Sequence, residues 1–231
     1  MIRLRRTAPR FRFAGRFIQP AGILMSTNIM VSNYFFIKRL HSLLGIIPLV
    51  LFLTEHMIVN SFSTVGSAQF NAVAGALRSM PYLILIELAV IIIPLYFHGL
   101  LGLWIAYQGS IEVRVPYMRN WLYLLQRATG LLLFFFISYH IYATRIHSSL
   151  AGKHDLYVLM GDYLSNPFMY AVYVIGVACA AFHAGNGLFN FAYKWGVTVS
   201  ARAQAWAMAL GLFVGFGFFA IGMGALYGFT H

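Results

Sequence analysis

Long apolar runs closed by short polar or basic patches set the pattern of this chain. The runs do not alternate as strands would, and five of them are long enough to cross roughly 30 Å of hydrocarbon as helices. They predict spans at about 39–62, 82–107, 121–146, 168–193 and 204–227. The second follows Pro81 and the fourth follows Asn166-Pro167. Tyr82, Tyr107, Trp121, Tyr193, Trp206 and Tyr227 fall near span ends, where an aromatic belt sits. The expected fold is all-α, an integral membrane bundle of five transmembrane helices.

Composition strengthens this picture. The 231 residues are 61% hydrophobic and 9% charged. A soluble domain is nearer half apolar and a quarter charged, so an ordinary water-soluble enzyme is excluded. An aromatic share of 17% excludes disorder. The net charge of +11, from 16 Lys+Arg against 5 Asp+Glu, would suit nucleic acid if the cations formed a patch. They flank the apolar runs instead, which marks the cytoplasmic side. Lys38 and Arg39 precede the first span, Arg114 and Arg119 separate the second and third, and Lys194 and Arg202 separate the fourth and fifth. The opposite loops carry Arg78 in one case and Lys153 with Asp155 and Asp162 in the other. The N-terminus is therefore expected in the cytoplasm and the C-terminus outside. A lone cysteine, Cys179, allows no intrachain disulfide, and no C-x-x-C-H motif exists for covalent haem attachment.

Residues 1–33 stand apart as a basic arm ahead of a 34–231 membrane domain, with six arginines and no acid in the first 16 positions. Three readings fit: an arm on the anionic membrane surface, an upstream start with Met25 or Met30 as the true first residue, or a transit peptide. An N-terminal sequence of the purified protein chooses among them.

Of eight histidines, His56, His98, His140 and His183 lie one in each of the first four spans. A single intramembrane histidine is as readily an interhelical hydrogen-bond partner as a functional group. The four together are different, because their depths match. At the helical rise, His56 and His140 lie roughly 25 and 28 Å from the cytoplasmic ends of their spans. His98 and His183 lie roughly 24 and 22 Å along spans that enter from outside, which brings them near the cytoplasmic face. Two imidazoles facing each other suit a metal or haem. Zinc wants further ligands, and none is visible at either level. Haem supplies four equatorial nitrogens of its own, and Gly99, Gly102, Gly185 and Gly187 offer small residues beside the inner pair. The residues thus point to two bis-histidine b-type haems stacked across the membrane, an electron path.

At this point the residues resemble a known family. The stretches are Arg39-Leu40-His41-Ser42-Leu43-Leu44-Gly45, His56 through Asn60, Pro94 through His98, Arg119-Asn120-Trp121, Leu125-Gln126-Arg127 and Gly130. They continue with Ser138 through His140, Thr144-Arg145, Phe182-His183, Asn186-Gly187-Leu188 and Trp195-Gly196. From about Tyr34 to Ala207 the chain resembles the dihaem cytochrome b membrane-anchor subunits of succinate:menaquinone oxidoreductase (succinate dehydrogenase/fumarate reductase), the five-helix, single-anchor type of bacilli. The resemblance fades in the fifth span and is absent from the first 30 residues. It implies that His98 and His183 hold the inner haem and His56 and His140 the outer one. It also implies a flavoprotein and an iron–sulfur subunit on the cytoplasmic face of a bacterial inner membrane. Electrons would pass from succinate through the two haems to menaquinone. The reverse, fumarate reduction, is open as well, and no dicarboxylate site lies in this chain.

Haem propionates want cationic or hydrogen-bonding partners. Arg39, His41, Ser42, Gln126, Arg127 and Lys194 are candidates for the inner haem, and Arg145 for the outer. For Lys38 and Arg119, lipid-headgroup contact or snorkelling is the plainer role. Glu87, one to two turns into the second span, is either a proton carrier at a quinone site or a neutral carboxyl bonded to a neighbouring helix. Glu55 adjoins His56 but points about 100° away around the helix, where it could line an outer cavity. His147 and His154 are expected in solvent at an outer loop, and His231 has no assigned role. Rival readings are a haem-free proton-relay transporter, an anchor with vestigial haem sites, and a dihaem anchor of another quinone-linked dehydrogenase.

Overall fold

The computed structural model describes residues 34–109, 117–150, 152 and 155–231. The basic arm 1–33, Arg114, Lys153 and His154 lie outside them. The chain divides into Met1–Ile37 and Lys38–His231. Residues 34–37 of the first unit are helical, and every side-chain contact described below lies within the second.

Helix dominates the described residues, and no strand occurs among them. Five helices are long and apolar enough to cross a membrane: Tyr34–Thr64, Leu83–Gln108, Met118–Leu150, Pro167–Lys194 and Ala201–Thr230. Each matches an expected span and runs a little beyond it at one or both ends. Asn166 caps the fourth span by accepting from the amides of Phe168 (2.9 Å) and Met169 (3.3 Å), with Pro167 at the first turn. Ser200 caps the fifth through the Ala203 amide at 3.1 Å. The belt aromatics are exposed where expected, with Tyr82 at 78% and Tyr107 at 90%.

Two features interrupt uniform helix. The connections between the first and second spans and between the third and fourth, expected as loops, each contain a short helix, Ser67–Arg78 and Leu156–Leu164. Asp155 caps the second of these through the Val158 amide and accepts from the Asn71 side chain, both at 3.1 Å, so it ties the two together. Those bonds hold its carboxyl below the usual range, the Val158 amide contributing most. The spans also widen into π-turns at Gly45–Val50, Glu87–Ile92 and Tyr142–His147. Pro48 lies in the first, and Pro94 follows the second. Proline has no amide to donate and crowds the preceding turn, and a widened turn relieves both.

Packing is closest between the fourth and fifth spans. A Cβ on Gly185 would run into the Gly211 carbonyl oxygen, and one on Gly215 would sit 3.0 Å from that of Ala181. These bare backbones let the helices touch, the usual source of helix adhesion where lipid removes the hydrophobic drive. The fifth span meets the first in the same manner, and the buried Ser63 hydroxyl donates to the Ala225 carbonyl at 2.9 Å. Phe70, Met160, Leu164, Tyr173, Val177, Leu226 and Phe229 form one core that joins the two short helices to the fourth and fifth spans.

Candidate cofactor site

The first four spans carry the four histidines to two meeting points. His98 and His183 face each other with ring centroids 6.3 Å apart and planes at 86°. His56 and His140 do so at 5.8 Å and 86°. The spans pair as helical depth predicts, second with fourth and first with third. Each pair holds two imidazoles, and among the described residues no group of three or more metal-binding side chains gathers anywhere.

Three of the rings are oriented through Nδ1. The His98 Nδ1–H donates to the His41 carbonyl at 2.8 Å. His183 donates to the Thr129 hydroxyl at 3.2 Å, whose own proton goes to the Leu125 carbonyl at 2.7 Å. His140 pairs with the Tyr173 hydroxyl at 3.3 Å. A ring that donates through Nδ1 keeps the lone pair of Nε2 for a metal. Further contacts hold the helices in register. Gln126 donates to the His183 carbonyl at 3.1 Å and accepts from Asn186 at 2.7 Å. Within their own spans, Asn60 donates back to the His56 carbonyl and Thr144 to that of His140, both at 2.7 Å.

These residues fit haem. Imidazole–metal bonds of about 2 Å on opposite sides of one ion put ring centroids roughly 6 Å apart, as both pairs have. Space beside the inner pair is kept by glycine: a Cβ on Gly45 would lie 2.6 Å from the His98 ring, and one on Gly130 would lie 3.0 Å from the His183 ring. The glycines expected to serve there have other neighbours. Gly99 faces Phe134, Gly102 faces His41, Gly185 faces Gly211 and Gly187 faces Gln126. Gly99 and Gly185, one and two residues along, point away from the histidine of their helix, whereas Gly102 and Gly187, one turn along, share its face and give room to His41 and Gln126.

Of the expected propionate partners, His41 and Gln126 touch the inner pair, and several of the others are engaged elsewhere. The His41 ring stacks on His98 at 4.1 Å and 10°. Arg39 lies 5.5 Å over Trp195. Arg127 donates to the Gly109 carbonyl at 3.1 Å and to the Tyr123 hydroxyl, and lies 4.1 Å over the Tyr123 ring. Ser42 is half-buried, and Lys194 is exposed at the end of the fourth span. At the other end Arg145 holds Glu87, with Nη2 at 2.7 Å and Nε at 3.1 Å from one carboxylate oxygen. A recess of ≈ 510 Å³ adjoins the pair, lined by Arg78, Tyr82, Arg145, Ser149 and the apolar Met80 and Leu83–Leu85. Glu55 is half-buried beside His56. Thr129, Tyr173, Gly45 and Gly130 were given no role by sequence reasoning, because each acts through a contact with another span.

The family described as Succinate dehydrogenase/Fumarate reductase transmembrane subunit matches residues 114–221. A succinate dehydrogenase cytochrome b558 subunit from Bacillus subtilis (strain 168) is 37% identical over 197 residues, 85% of this chain and 97% of that protein. The match spans most of the chain, and the fold it meets has five membrane-crossing helices with paired histidines between them. The chain belongs to the transmembrane cytochrome b subunits of the succinate dehydrogenase/fumarate reductase family.

Proposed function

We propose that this chain anchors its dehydrogenase in a bacterial inner membrane and carries electrons from an iron–sulfur subunit to menaquinone through two b haems. His98 and His183 hold the inner haem, and His56 and His140 the outer. The single observation that carries this is the pair of imidazole pairs, at 6.3 and 5.8 Å, each shared between alternate spans. When bound, haem supplies one-electron carriage at each level.

The chain's own residues do the rest. The histidines fix the two sites, and Thr129 and the His41 carbonyl hold the inner rings in the liganding tautomer. His41 and Gln126, which touch the inner pair, together with Arg39, Ser42, Arg127 and Lys194 offer charge and hydrogen bonds to propionates. Cations also mark this end as the cytoplasmic docking face for the flavoprotein and iron–sulfur partners. Arg119 there donates to Gln204 at 2.6 Å, joining the third and fifth spans. Arg145, the expected partner of the outer propionates, also holds Glu87. Reduction of a quinone needs protons as well as electrons. Glu87, held by Arg145 beside a recess in the size range of small-molecule sites, accepts a proton and passes it to the quinone. The same residues serve the reverse reaction, fumarate reduction with quinol oxidation. Family membership sets aside the transporter and the anchors of other dehydrogenases.

A pyridine haemochrome assay with reduced-minus-oxidised spectra is expected to give two b haems per chain. One haem or none overturns the ligand assignment. Glu87→Gln keeps the size of the side chain and removes its proton chemistry. The purified complex carrying it is expected to retain both haems and dye-linked succinate oxidation, with menaquinone reduction slowed about 10²-fold. An unchanged quinone rate removes Glu87 from the proton path.

A further inference from the structure

Tyr173 lies within the fourth span, 3% exposed, in the core that joins the outer short helices to the bundle. Its ring meets Phe136 at 5.3 Å, and Phe136 in turn stacks on His140 at 6.0 Å and 22°. Gly176, one turn further along, makes room for Phe136, since a Cβ there would run into that ring. The phenol oxygen is thus carried out of an otherwise apolar core to 3.3 Å from Nδ1 of His140. Apolar packing alone would be served as well by phenylalanine. A buried hydroxyl costs free energy unless it finds a partner, and here it meets a histidine that the proposed function makes a haem ligand.

We propose that Tyr173 is a positioning residue that sets the electron-donating strength of His140 and so the reduction potential of the outer haem. The argument rests on the reading that His140 binds iron. Binding through Nε2 requires the ring proton on Nδ1, so Nδ1 donates and the Tyr173 oxygen accepts. Accepting that proton makes the imidazole a stronger donor to the metal and favours the oxidised state. The inner ligands have different acceptors, a peptide carbonyl for His98 and a threonine hydroxyl for His183. Tyr173 therefore acts on one level of the electron path alone.

The test uses the complex in its membrane with Tyr173→Phe and Tyr173→Gln. The first keeps the ring and removes the oxygen, and the second removes the ring and keeps an acceptor. Potentiometric titration of the haem absorbance gives two components, and the outer one is the component that His140→Ala removes. In Tyr173→Phe the outer potential is expected to rise, by about tenfold in the oxidised-to-reduced ratio, or about 59 mV for one electron. The inner potential should not move, and Tyr173→Gln should fall closer to the wild type. Loss of the outer haem from the Phe variant but not from the Gln variant supports the same role. The proposal is overturned by an unmoved outer potential in Tyr173→Phe, by equal shifts at both haems, or by Phe and Gln variants that behave alike or both lose the haem. If His140→Ala removes no haem, the ligand reading fails instead, a result distinct from all of these.

Discussion

Replacing His98 or His183 with alanine is expected to lower the haem content from two per chain to one. Replacing His56 or His140 should do the same for the other haem. A non-covalent haem depends on its axial bonds and on hydrogen bonds to its propionates, and the lone Cys179 offers no thioether linkage. Losing one of two axial bonds is therefore a larger loss than losing a partner that only orients a ligand, which costs about 10–100-fold in affinity. The His98→Ala and His183→Ala proteins should share one spectrum and one remaining potential, and the other two variants should share the complementary pair. All four should lose electron transfer to quinone, because each interrupts one level of the path. His41→Ala is the decisive comparison. Its ring lies parallel to His98 at 4.1 Å and 10°, face against face. A ligand opposite His98 must point a nitrogen at the same ion from across it, and a stacked ring cannot. His41→Ala should therefore keep both haems. A His41→Ala protein with one haem would show that the inner haem depends on His41 itself, as ligand or as propionate partner, and would leave the His98–His183 pair insufficient to hold it.

The pairing of these histidines was legible in the sequence because it needs only depth, and depth follows from counting residues at a constant rise. The five spans were legible for a related reason, since a membrane asks for a length and an apolar composition that a run of residues displays directly. Details that depend on azimuth were not. The bond from His98 goes to a backbone carbonyl of His41, which has no side-chain signature at all. Thr129 and Tyr173 are ordinary span residues until another helix brings a histidine against them. Glu87 stood out as an acid inside a span, yet its partner Arg145 is 58 residues away on a different helix. The short helices Ser67–Arg78 and Leu156–Leu164 escaped because each is too brief to rise above a loop in apolar pattern. The family resemblance supplied motif order, which helical counting does not reach.

Gly45→Val is expected to remove the inner haem and spare the outer one. A Cβ at position 45 would lie 2.6 Å from Cε1 of His98, closer than real contacts allow, and 3.0 Å from its Nδ1. The ring has little freedom to yield. Its Nδ1 is tied to the His41 carbonyl at 2.8 Å, and its face is covered by the His41 ring. Valine adds two methyl groups to a Cβ that already does not fit, so His98 must leave its liganding position or the first and second spans must separate. Overpacking of this kind costs about 1–3 kcal/mol, and a displaced axial ligand costs the haem as well. Gly130→Ala should be milder, because its Cβ would meet the His183 ring at 3.0 Å and no second ring braces that imidazole. Gly75 supplies the control, with nothing within 4 Å of a Cβ placed there. It lies inside the short helix Ser67–Arg78, where alanine restricts the unfolded chain and should stabilise by about 0.5–1 kcal/mol. Haem per chain and midpoint potentials, measured for all four proteins in membranes, give the order of inner-haem loss: Gly45→Val, Gly45→Ala, Gly130→Ala, and none for Gly75→Ala. A Gly45→Val protein with both haems at wild-type potentials would show that the space beside His98 is not needed. The opposite signs expected at Gly45 and Gly75 separate the two effects of glycine, since helix propensity favours alanine at both positions and only the imidazole distinguishes them.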